Sequence, residues 1–277
     1  MGAPLFVAAL GRAPDPAQLE QLRRYVRLLL TASARLNLTA VQDPAAVEQR
    51  HVAESLALVR LLEQVNLLPA GGALIDVGSG GGLPGLPVAI VRPDLRVTLL
   101  DATGKKVAFL RETAAALGLG NVTPLHARAE DAGRDAAWRE RFDVATARAV
   151  APLATLVELL LPFVAVGGVA AAVKGARAAE EVATATGAIA RCGGRLSRVA
   201  SRGIGEPGVP QPPPNGGAAP ETPGAAVAAA DGRWDRDGLR VPTGGGEALT
   251  VVLIAKVAPT PPDLPRRAGV PAKRPLR

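Results

Sequence analysis

The sequence predicts an α/β fold: a mainly parallel sheet with helices on both faces, preceded by a helical segment. Three observations lead there. Short apolar runs recur from residue 73 to residue 255, helix-length segments separate them, and the first 70 residues show helical spacing only. Parallel neighbours need long crossover connections, so strands alternating with helices imply βαβ units.

Taken in order, residues 1–70 form the helical segment. Asp15-Pro16 offers an N-cap followed by a first-turn proline, and Leu19, Leu22, Val26 and Leu29 then share one face. Asp43-Pro44 repeats the signal, with Val47, His51, Ser55, Leu58 and Leu62 at helical spacing. Residues 71–204 and 247–257 form the α/β domain. Its predicted strands are Ala73–Val77, 97–100, Val122–His126, 144–147, 169–173 and 249–255, with helices over 86–91 and 105–117. Residues 205–246 are rich in Pro, Gly and Ala with little apolar periodicity, and read as a disordered insertion. Residues 258–277 read as a basic, proline-rich tail.

Composition narrows the setting. The single cysteine, Cys192, excludes an intrachain disulfide framework and fits a reducing cytosol. No signal-peptide pattern is visible, and the richest apolar stretch, residues 153–173, is broken by Glu158, Pro162 and Gly167-Gly168. A cytoplasmic, monomeric protein without membrane contact is expected. The net charge of +7 suits an anionic partner such as nucleic acid, although the Arg, Ala, Gly and Pro bias also fits a GC-rich genome.

The chemistry concentrates in residues 74–85, where a strand runs into a glycine cluster and then a helix. Glycines let a ligand lie against bare backbone amides. Gly80, Gly82 and Gly85 fit the spacing of a dinucleotide site, and Asp76 with Gly78, Gly80 and Gly82 fits that of a methyltransferase. Glycine spacing alone does not choose. Asp76, two residues before the first glycine, suits a cationic amino-acid end, and Pro84 removes an N–H that a pyrophosphate would use. Asp101, closing the next run, suits ribose hydroxyls in either class or a helix N-cap. Glu130 with the Ala129 backbone suits an adenine, and Arg148 ends the fourth strand at the ligand crevice.

These segments, with Leu99-Leu100-Asp101, Lys105-Lys106, Arg128-Ala129-Glu130 and Thr146-Ala147-Arg148-Ala149, resemble the GidB/RsmG-type 16S rRNA guanine-N7 methyltransferases. Asn37-Leu38-Thr39-Ala40 and residues 50–56 resemble that family's "NLTA" and "RHxxDSL" segments, with Glu54 where Asp is usual, and residues 265–276 resemble one of its endings. The resemblance implies a Rossmann-like class I methyltransferase with a seven-stranded sheet and S-adenosylmethionine as cofactor. It implies a guanine of 16S rRNA near the decoding centre, guanosine 527, as target, in free rRNA or the small ribosomal subunit. It also implies cofactor contacts from Gly78, Leu83, Ala129, Glu130 and Arg148.

Guanine N7 carries a free lone pair, so no general base is required and no catalytic residue is assigned. Catalysis is then positioning, worth about 7–11 kcal/mol in well-oriented systems. His51, His126 and Cys192 make no zinc pattern, and no metal is expected. Candidate RNA contacts are Asn37, Arg50, His51, Lys174, Arg266, Arg267, Lys273 and Arg274. Each has a bland alternative: a structural histidine, a solvated strand-end lysine, a solvated tail. The remaining rivals are a nicotinamide-dependent oxidoreductase and a non-catalytic RNA-binding protein on the same fold.

Overall fold

The structure, a computed structural model, describes residues 2–175, 177–203 and 248–276, and side chains outside 201–203 and 248. The insertion expected at 205–246 lies outside the described residues.

The N-terminal segment contains α1 (Ala3–Leu10), α2 (Pro16–Leu36), α3 (Pro44–Val47), a π-helical turn (Glu48–Ala53) and α4 (Glu54–Gln64). Asp15 starts α2 with a capping box: its side chain accepts from Gln18 N at 2.8 Å, and Gln18 Oε1 accepts from Asp15 N at 3.0 Å. Asp43 caps α3 through Ala46 N at 2.7 Å. The helix predicted after Asp43 is not uniform, because the π turn adds a residue to its winding. Val52 and Ala53 therefore enter the core with Val47 and Leu56, and His51 is only half-buried.

The domain that follows alternates β1 (Ala73–Val77), α5 (Gly85–Val91), β2 (Arg96–Asp101), α6 (Gly104–Ala116), β3 (Val122–His126), α7 (Ala129–Ala132) and β4 (Phe142–Arg148). Then come α8 (Leu153–Leu160), a 3-10 turn (Leu161–Phe163), β5 (Val164–Lys174), α9 (Ala178–Arg191), β6 (Gly194–Gly203), β7 (Ala248–Lys256) and α10 (Val270–Lys273). The seven strands run β3-β2-β1-β4-β5-β7-β6. The first five are parallel, and β7 is antiparallel to both neighbours. Winding reverses between β1 and β4, and ligands of such sheets bind at the carboxyl ends beside that switch.

Both sheet faces are covered, so β1 is apolar almost throughout. Leu74 belongs to a first core with Phe6, Leu22, Tyr25 and Leu56 of the N-terminal helices, while Ile75 belongs to a second core with Leu153, Leu156 and Ile189 of α8 and α9. β6, absent from the predicted strands, is an edge strand of mixed polarity with a bulge between Leu196 and Arg198. No helix among the described residues is long and apolar enough to cross a membrane.

The segment after β7 is not a solvated tail. Leu264 and Leu276 are buried in the second core, and Thr260, Pro265 and Pro271 are buried too. Arg139 donates to the carbonyls of Thr260, Pro261 and Leu264, and Arg134 donates to that of Pro265. Fully buried Lys256 pairs with Glu140 at 3.1 Å and donates to Leu161 O and Thr260 Oγ1, anchoring the segment at its start.

Candidate active site

The glycine turn leaves β1 and is tied down on all sides. Gly78 N and Ser79 N donate to Leu100 O at 2.8 and 3.0 Å. Gly80 N donates to Asp101 Oδ2 at 2.9 Å, and Gly85 N to Asp76 Oδ2 at 3.0 Å. Behind the turn, Tyr25 Oη donates to Gly81 O at 2.8 Å. Gly78 has φ 73° and lies under Val150, which a Cβ there would meet at 2.8 Å. At Gly81 a Cβ would stand 2.7 Å from Leu29 of α2. One glycine thus serves the ligand face and the other the docking of the N-terminal helices.

Asp76 is fully buried, and its Oδ1 is the buried side-chain oxygen without a partner among the described residues. Burial raises its carboxyl to about 7, against donation from Gly85 N, the nearby Ser79 hydroxyl and the positive charge of Arg148. A buried oxygen without a partner is uncommon in a folded protein.

Gly78, Asp101, Ala129 and Glu130 line one cavity of about 150 Å³, together with Val77, Leu100, Arg128, Val150 and Leu159. Asp101 holds Gly80 N on one oxygen and Thr103 N, at 2.8 Å, on the other. It shapes the turn and the entry to α6, and it is one of the residues lining the cavity. Glu130 accepts from Gly269 N at 2.8 Å, which joins the cavity wall to the C-terminal segment.

Arg148 points to the other side of the turn. Its Nη1 donates to Glu54 Oε2 at 2.8 Å and Arg50 O at 3.0 Å, and its Nη2 lies 3.2 Å from His51 Nδ1. A guanidinium can only donate, so Nδ1 is bare and the imidazole proton sits on Nε2, which donates to Thr39 Oγ1 at 2.7 Å. Burial and the Arg148 charge lower His51 to about 4, so the ring is neutral at physiological pH. Ala149 follows at φ 55°, a left-handed residue between Arg148 and Val150.

Residues 18–207 match the family described as rRNA small subunit methyltransferase G. The chain belongs to that family. A Moorella thermoacetica protein named ribosomal RNA small subunit methyltransferase G is 39% identical over 272 residues, spanning 98% of this chain and 96% of that protein. A Roseiflexus sp. (strain RS-1) protein of the same name is 42% identical over 268 residues, spanning 97% and 96%. Among solved structures, precorrin-6y C5,15-methyltransferase from Geobacter metallireducens GS-15 aligns at 14% identity and TM-score 0.45, over 72% of this chain and 88% of that one. This member of the small subunit methyltransferase G family is therefore an rRNA methyltransferase with S-adenosylmethionine as cofactor.

In this methyltransferase the predicted residues divide into groups. Asp76, Gly78, Gly80, Gly82, Leu83, Asp101, Ala129 and Glu130 sit on the glycine turn or at the adjoining strand ends and α7, with Leu83 buried and Gly82 at φ 89°. Arg148, His51 and Arg50 gather on the other side; Asn37, exposed, caps α2 at φ 50°. Lys174 stands apart, paired with Glu181 at 2.6 Å and donating to Ala151 O at 2.9 Å. Arg266 is engaged by Glu158, a fully buried carboxylate, at 2.6 Å. Arg267, Lys273 and Arg274 are exposed. Tyr25, Val150 and Glu181 were not singled out from sequence. Tyr25, the chain's one tyrosine, sits on the same α2 face as Leu22, Val26 and Leu29, and that is the signal it carried.

Proposed function

We propose that this chain methylates N7 of a guanine in 16S rRNA, guanosine 527 by the family resemblance, in the free RNA or the small ribosomal subunit. The observation that carries the N7 reading is the state of His51. Its Nδ1 is occupied by Arg148 and its Nε2 by Thr39, so neither ring nitrogen is available to take a proton from a substrate. A nucleophile with its own lone pair suits such a site, and guanine N7 is one.

The residues present fit S-adenosylmethionine. Asp76 leaves one buried oxygen for the cationic amino group, reached directly or through a water. Asp101 lines the cavity, where ribose hydroxyls would donate to its remaining lone pairs, and Ala129 with Glu130 would wall the adenine side. Arg148 supplies a fixed positive charge for the cofactor carboxylate. Bound S-adenosylmethionine supplies a methyl group on a positively charged sulfur. The chain's own part is to hold the two reactants in line and keep water out, because methylation puts positive charge on the base and asks for no proton transfer at N7. Asn37, Arg50 and His51, around the mouth of the Arg148 cluster, and Arg267, Lys273 and Arg274, on the outside of the C-terminal segment, are the proposed RNA contacts; Lys174 and Arg266 act within the protein.

The test is methyl transfer from labelled S-adenosylmethionine to small subunits lacking this modification, with the product mapped by strand cleavage directed at 7-methylguanosine. A single cleavage in 16S rRNA is expected. Label in 16S rRNA without cleavage at a guanine would overturn the N7 assignment and leave the rRNA methyltransferase in place.

A further inference from the structure

The N-terminal segment reaches Arg148, at the end of β4, through a chain of contacts made by Thr39, His51 and Glu54. Arg148 leaves the end of β4 and is met by two groups of the π turn and one of α4. The extra residue in that turn turns His51 out of the core face that uniform helical winding would assign it, and Val52 takes the buried place. The same turn offers the Arg50 carbonyl to Nη1. Arginine has many rotamers, and an arginine that must meet a ligand in one geometry loses affinity unless that freedom is removed beforehand. Arg148 is held here with its side chain 17% exposed, by a carboxylate, a carbonyl and a bare ring nitrogen. Thr39 completes the device by fixing the proton on Nε2, which keeps Nδ1 an acceptor.

We propose that His51 and Glu54 are positioning residues: they act through Arg148, holding its guanidinium in the orientation in which it receives the cofactor's carboxylate, with Thr39 setting the His51 tautomer. This rests on the reading that Arg148 contacts S-adenosylmethionine.

The experiment is calorimetric titration of S-adenosylmethionine into the full chain and its variants, with melting curves for each. Arg148→Ala is expected to weaken binding at least tenfold, and His51→Ala and Glu54→Ala about fivefold each. The decisive pair is His51→Asn and His51→Gln. Asparagine keeps an oxygen near the Nδ1 position and restores binding; glutamine keeps a donor near the Nε2 position, preserves the Thr39 contact and does not. In an Arg148→Ala background the His51 and Glu54 substitutions change binding by less than twofold. If Gln restores and Asn does not, or if the losses add fully in that background, the positioning role is wrong and His51 is a structural tie to Thr39. If Arg148→Ala binds like the parent, the cofactor reading of Arg148 itself has failed. The asparagine and glutamine variants carry the test even where the alanine variant does not fold.

Discussion

The two ends of the sheet treat buried charge in opposite ways. Beneath the C-terminal segment, Glu158 accepts Arg266 Nε, Nη2 and N, and Lys256 is met by Glu140, Thr260 and the Leu161 carbonyl. At the glycine turn, Asp76 is just as buried and keeps an oxygen with no partner. Removing charge from water is costly unless it is paired and hydrogen-bonded. The paired end is complete without any ligand and serves the fold. At the glycine turn one carboxylate oxygen is left over among the described residues, which fits the proposed role of Asp76 in holding the cofactor.

The largest effect should come from breaking the complete end. Glu158→Ala leaves Arg266 and its amide without their acceptor and should cost about 3 kcal/mol of unfolding free energy, read by urea denaturation. S-adenosylmethionine affinity of the folded protein should change less than threefold; a collapse of both together would abolish the contrast. Next comes Asp76→Asn, which should weaken the cofactor about a hundredfold, or about 2.7 kcal/mol, while making the ligand-free protein more stable above pH 7. Its sign follows from burial: the unfolded Asp76 ionises near its ordinary value and the folded one near 7, so parent stability falls as pH rises across that window. A destabilised Asp76→Asn protein would show that the carboxylate is structural.

The pH dependence of binding sharpens the same point. A cationic amino group favours ionised Asp76, so affinity should fall toward tenfold per unit as pH drops below about 7, and Asp76→Asn should be flat. Calorimetry across pH 5.5–8.5, spanning about 1.5 units either side of that value, checks it. The smallest effect concerns the outer surface of the complete end. Replacing exposed Arg267, Lys273 and Arg274 with alanine should weaken RNA binding a few-fold and flatten its salt dependence, with melting temperature and cofactor affinity unchanged. RNA affinity equal to the parent's at low salt would remove this face from the substrate contact.

Legibility in the sequence followed the kind of interaction. Strands with both faces buried, such as Ala73–Val77, announce themselves as apolar runs, and the glycine turn is visible because positive φ selects one residue type. β6 was not visible, since an edge strand in which arginines and serines interrupt Leu196 and Val199 looks like a loop until β7 pairs with it. The C-terminal segment misled for a related reason: its prolines and arginines look solvated, and only the carboxylate of Glu158 and the arginines of another region, Arg134 and Arg139, explain where they go. His51 was read onto an apolar helix face because a uniform 3.6-residue period cannot register one inserted residue. Local rules show themselves locally, whereas partners distant in sequence do not.

Ala149 shows what such a fold retains at a cost. In an extended strand, residues 148 and 150 would face the same way, yet Arg148 reaches His51 and Glu54 while Val150 covers Gly78 and the cavity. The left-handed alanine between them makes the divergence, at a strain on the order of 1 kcal/mol. A search for thermostable variants would be drawn to glycine at this position, where the folded chain would relax. That variant would also give the pivot between Arg148 and Val150 freedom to turn, and on the proposed positioning mechanism it would exchange turnover for heat resistance.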